Sequence, residues 1–172
     1  MAFCRKNSPG NELKEIYDIN FIQAAAWLLP KKTLLDIGGF DPVFFHYGED
    51  DNYCQRVLYH NFKIGVVPNS FIRHDGTVKS PSQVLPFSEQ YFKDYYLTIL
   101  FKYCNINTEF TNIQVKKEKK KIYKRILLSL IQLNFKNCLG FYKKVQLFEN
   151  SVINIKESRK INMQYKANYL ND

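Results

Sequence analysis

Ile37-Gly38-Gly39-Phe40-Asp41-Pro42-Val43-Phe44-Phe45-His46-Tyr47-Gly48-Glu49-Asp50-Asp51-Asn52-Tyr53-Cys54-Gln55-Arg56 is the stretch on which a reading of the fold turns. It follows Pro30 and the run Lys31 to Ile37, and proline before with glycine after predicts a short helix there. An aromatic loop built on Phe40, Phe44 and Phe45 then surrounds Asp41-Pro42. Three consecutive acids close it at a loop-to-helix junction, where backbone N–H groups and the helix dipole favour ionised carboxylates. An Asp or Asn is expected to cap the helix that continues through Tyr53, Cys54, Arg56, Val57 and Leu58. Asn61 is expected to end it.

Downstream, Phe62 to Pro68 reads as a strand closed by proline, and His74 and Asp75 fall on a loop. Pro86 to about Cys104 carries an apolar and aromatic stripe, Phe87, Tyr91, Tyr95, Leu97, Leu100 and Phe101, which predicts an amphipathic helix. Helical character resumes near Lys116, weakens at Gly140 and gives way to a polar tail after about Ile155. Upstream, Ile19 to Leu29 is dense in apolar residues and predicts a buried strand or a strand with its approach loop. Ala24-Ala25-Ala26 within it leaves room for something to approach the backbone. The organisation expected is an irregular lead-in over 1–18, an α/β portion over 19–85, a helical region over 86–155 and a polar tail over 156–172.

The chain has 172 residues, enough for one domain and an appendage. At 45% hydrophobic and 24% charged with 16% aromatic residues, it is composed for folding rather than disorder. Its net charge of +9 favours anionic partners, but much of the excess lies between Lys116 and Arg125. Apolar residues follow that block, so the segment 116–133 would also suit the anionic surface of a membrane. Nucleic acid is not expected, because no glycine-aromatic motif or zinc-finger spacing accompanies the lysines. Cys4, Cys54, Cys104 and Cys138 form no Cys-x-x-Cys pair, and with no secretory signal they read as reduced thiols in a cytoplasmic protein, at most peripheral at the inner membrane face.

The quoted stretch resembles the signature that family-2 glycosyltransferases carry late in their catalytic domain: Gly-Gly-Phe-Asp, several aromatic residues, Glu-Asp-x-Asp, an apolar residue, a cysteine and an arginine two positions later. The resemblance covers residues 19 to 76, including the short strand ending at Pro68 and the histidine His74. It implies a fold of the α/β class, a partial GT-A-like domain with a helical C-terminal appendage. It implies transfer of a sugar from a nucleotide-sugar donor to a glycan or lipid-linked acceptor, as in cell-surface polysaccharide synthesis. By position Asp50 would be the general base that takes the acceptor proton, and Glu49 would fix a loop or contact the acceptor. Ala24, Ala25, Trp27, Asp51 and Arg56 would line the substrate site, Trp27 against the sugar or as a core aromatic. His74 would join a divalent cation, Mg²⁺ or Mn²⁺. Asn52 stands where the family has a second Asp, and Ala24 where it often has Gly.

The family's donor-binding half and its Asp-x-Asp motif have no counterpart here, so the chain is expected to be a truncated member, a fragment, a degenerate relative or one half of a split enzyme whose partner chain supplies them, and alone it is expected to be inactive. Two other readings compete. One is a non-catalytic membrane-surface module using 116–133. The other is a metal-dependent hydrolase using Glu49, Asp50, Asp51 and His74, although three adjacent acids at a helix start cannot all point at one ion.

Overall fold

Pro30 and Gly38 bracket the first helix as their chemistry requires. In the computed structural model, which describes residues 16–45, 47–68, 70, 72, 84–166 and 168–170, helix α1 is Lys31–Ile37. Gly38 receives the chain at φ +96°, a left-handed conformation that glycine alone adopts without strain. Helix α2, Glu49–Tyr59, starts from Gly48, also left-handed at φ +97°. No side chain caps it. The three acids are its first turn rather than its cap, and they complement the dipole from there. Asn61, at φ +61°, turns the chain out of α2.

Strand β1, Tyr17–Ile19, pairs antiparallel with β2, Ile64–Val66, in the register Tyr17 to Val66, Asp18 to Gly65 and Ile19 to Ile64. This is the whole of the sheet among the described residues, which are 58% helix and 4% strand. The α/β, GT-A-like class implied by the resemblance is therefore corrected: the chain is mostly helical. The run from Ile19 to Leu29, expected to be a buried strand, leaves β-structure at Asn20, turns at Ala24-Ala25 and exposes 95% of Leu28. Without that strand only three residues remain on either side to pair.

Two compact units divide the chain. The first comprises residues 1–80 together with 162–172. Its core is Ile37, Tyr53 and Val57, with Trp27, Leu29, Phe62 and Ile64 packed against them. The late residues belong structurally beside the early ones: Gly39 N–H donates to the Asn168 carbonyl at 2.8 Å, and a Cβ on Gly38 would lie 2.0 Å from that same oxygen. Asn162 Nδ2 donates to Asp41 Oδ2 at 2.8 Å in the interior.

The second unit is residues 81–161. Helix α3, Glu89–Tyr103, is capped by Ser88, whose Oγ accepts from Tyr91 N–H at 3.2 Å. Helix α4, Asn112–Ile131, begins four residues before the first predicted lysine because Thr111 and Gln114 form a reciprocal capping box. Helix α5, Phe135–Asn162, runs through both Gly140 and Ile155 without a break. Gly140 is there for space: a Cβ would meet the Phe87 ring at 2.3 Å. Ile99, Leu100, Ile122, Val145, Phe148 and Ile155 are buried between the helices. Arg159 is buried too and donates to the carbonyls of Tyr103, Asn105 and Thr108, satisfying acceptors left open where α3 ends. Among the described residues no helix is long and apolar enough to cross a membrane.

Candidate functional site

The start of α2 concentrates the chain's candidate chemistry. Asp50 is half-buried, and its Oδ1 accepts from the Asp51 N–H at 2.8 Å. Its Oδ2 faces the Ala24 N–H at 3.4 Å, a long hydrogen bond from a residue 26 positions earlier. Asp51 Oδ2 takes the amide of Gln55 one turn on at 2.6 Å. Burial and the neighbouring Asp50 carboxylate raise the pKa of Asp51 above the ordinary carboxylate range. Glu49 keeps one oxygen, Oε2, buried without a hydrogen-bond partner among the described residues.

Ala24 and Ala25 lie on an exposed turn. Trp27 follows it and is half-buried, its Nε1 donating to the Gln23 carbonyl at 3.1 Å. The Trp27 ring packs 5.9 Å from Phe40 and 5.7 Å from Tyr53, which are themselves 5.1 Å apart. Three aromatic rings thus tie the Gln23–Trp27 turn, the loop after α1 and the body of α2 together.

Arg56 is fully buried. Its Nη1 donates to the Gly39 carbonyl at 2.6 Å and its Nη2 to the Ile37 carbonyl, so the guanidinium closes the C-terminal end of α1. Its carbon lies 5.4 Å from the Tyr53 ring centre and 5.3 Å from that of Tyr169. With both Nη groups engaged inside, Arg56 positions the loop that precedes α2 instead of facing a substrate. Burial lowers its pKa, and Tyr169, Tyr53 and Asp41 act in the opposite direction.

Asn52 does not cap α2. It is the fourth residue of the helix, buried, with neither Nδ2 nor Oδ1 hydrogen-bonded among the described residues. Cys54 Sγ faces the Ile22 carbonyl at 3.8 Å, and burial pushes its thiol pKa up. His60 is held by the Asn162 carbonyl at 2.9 Å from Nε2. His46 and His74 lie outside the described residues. Among the described residues no three His, Cys, Asp or Glu side chains converge as a metal would need. Asp50 and Asp51 turn to separate amide donors, and His74, the histidine expected to join a divalent cation, lies outside the described residues.

The sequence picked out Asp50, Ala24, Trp27 and Arg56 but could not show how they are joined. The parts played by three residues escaped it. Asp41 is buried in the loop, its Oδ1 accepting from Val43 N–H at 3.0 Å while Asn162 donates to the other oxygen. Asn162 and Asn168 come from far along the chain, and nothing in their local sequence marks them.

No protein-family model matches the chain, and neither a curated protein nor a solved structure does.

Proposed function

We propose that the chain supplies the acceptor side of a glycosyl-transfer reaction of the family-2 kind, with Asp50 as the general base. One observation supports this above the others. The two stretches singled out by the resemblance, Gln23 to Pro30 and Ile37 to Arg56, meet at a single half-buried carboxylate, that of Asp50. Arg56, Asp41 and the three-ring cluster hold the surrounding loop still, so the carboxylate stands on a fixed frame.

In this reading the acceptor hydroxyl attacks the anomeric carbon of a nucleotide-sugar. Its O–H bond breaks as the new C–O bond forms, the proton passes to Asp50, and the bond to the nucleoside diphosphate breaks with its electron pair leaving on the phosphate oxygen. Glu49 contacts the acceptor or steadies the loop, and the exposed Ala24-Ala25 turn offers backbone at the same edge. Gripping the donor falls to a partner segment or chain. The acceptor is a glycan or a lipid-linked glycan, and the cytoplasmic face of a membrane is where nucleotide-sugars would reach it.

The experiment coexpresses the chain with the reading frame encoded immediately upstream and measures sugar release from a panel of nucleotide-sugars with membrane acceptors. Transfer should need both components and fall by about 10²–10⁴-fold in Asp50→Asn. Transfer that survives Asp50→Asn unchanged, or tight nucleotide-sugar binding by the chain alone, would overturn the reading.

A further inference from the structure

Leu133 sits in the three-residue connection between α4 and α5 at φ +52°, a left-handed conformation that glycine and asparagine take readily and leucine does not. The next residue is Asn134, so the more comfortable side chain is one position away. Despite that strain, Leu133 is 75% exposed. A backbone outlier that presents an apolar side chain to solvent asks for a use.

The neighbours share the exposure. Leu127, Leu130 and Ile131 lie three and four residues apart on the last turns of α4, and Phe135 and Leu139 four apart on the first turns of α5. With Leu133 these six are 45–75% exposed, gathered at one end of the α4–α5 hairpin. The buried side of α4 is elsewhere, at Ile122 and Ser129.

Charge says what covers this tip. Between Glu118 and Glu149 the sequence has eight cations and no carboxylate. Glu118 itself is held by Lys102 and Lys121, and Glu149 by Lys119. An open groove of about 780 Å³ behind the tip is lined by Lys121, Lys124, Arg125 and Lys144 with Tyr91 and Phe141. A second copy of so cationic a surface would be repelled. Nucleic acid would engage the cations but leave the leucines in water. An anionic bilayer meets both, with apolar side chains at the acyl boundary and lysines among the head-group phosphates.

We propose that the α4–α5 hairpin is a membrane-docking device that inserts its leucine-rich tip into anionic lipid without spanning the bilayer. This stands whether or not the chain takes part in sugar transfer. The test is sedimentation of the whole protein with vesicles of phosphatidylcholine plus phosphatidylglycerol, against pure phosphatidylcholine. Binding should require the anionic lipid and weaken as salt rises. Changing Lys120, Lys124, Arg125 and Lys136 together to Gln should weaken it by at least about 100-fold, since each cation near the surface is worth roughly five-fold. Leu133→Asn separates docking from folding, because asparagine relieves the left-handed strain: its melting temperature should hold or rise while vesicle affinity falls about ten-fold, the scale of one buried apolar side chain.

Equal binding to both vesicles, binding indifferent to Leu133→Asn and to the four cation changes, a tip-dependent dimer that ignores vesicles, or retention on RNA in place of lipid would each overturn the proposal.

Discussion

Arg56 shows how much one side chain organises. It is the link between α2 and the turn that leaves α1, and the carbonyls of Ile37 and Gly39 have their donors in its guanidinium. Arg56→Ala should destabilise the first unit by about 3 kcal/mol or more, because two buried acceptors lose their partners and a large volume empties. Urea unfolding followed by the fluorescence of Trp27, the sole tryptophan, reads this directly; an unmoved transition would mean the two bonds are dispensable. At this scale the sequence was legible for identity and not for partners. The positions of Asp50 and Arg56 could be read from Glu-Asp and Cys-x-Arg spacing. A reading of side-chain types offers an arginine a carboxylate or a substrate, whereas its true partners are main-chain carbonyls 17 and 19 residues away.

Glu118 is the corresponding anchor between helices, accepting from Lys102 at the end of α3 at 2.8 Å and from Lys121 one turn along α4 at 3.0 Å. Burial alone would raise its carboxyl, yet hydrogen bonds from Lys102, Lys121 and Tyr103 outweigh that and hold the pKa down at about 2, from an ordinary 4.5. The depressed value means that its stabilisation is complete above about pH 4.5 and disappears as pH falls through about 2. Both lysines are more than half exposed, so water screens the interaction and Glu118→Gln should cost only about 1 kcal/mol at neutral pH. Thermal midpoints by circular dichroism, taken from pH 7 downward, should converge for the two proteins near pH 2; a difference constant with pH would refute the ionic origin. Elements with local punctuation were the ones the sequence revealed, as Pro30 and Gly38 did for α1 and Asn61 for the end of α2. Those decided by tertiary contact were not. The Ile19–Leu29 run carries strand-like composition yet leaves the sheet after Ile19, and Gly140 reads as a weak point in the helix although α5 passes through it, its missing side chain making room for Phe87.

At the scale of the molecule, the two units report separately. Helices α3 to α5 hold most of the helical residues, while Trp27 reports on the first unit. Ending the chain at Ile161 should shift Trp27 emission to the red and lower the urea midpoint seen by fluorescence, with most of the helical circular dichroism retained. An unchanged Trp27 would show that residues 162–170 add nothing to the first unit. Fold class was the least legible property, because it was carried over from a motif, and a motif fixes a loop and a helix start without fixing how many strands flank them. The bond from Gly39 N–H to the Asn168 carbonyl has a further consequence, in time. These residues are 129 positions apart, so a ribosome adding 5–20 residues each second needs roughly 6–26 s to produce the acceptor after the donor. The first unit therefore closes only after the whole of the second has been made, and until Asn168 is translated the Gly38-Gly39 turn waits for a chaperone or for the rest of its own chain.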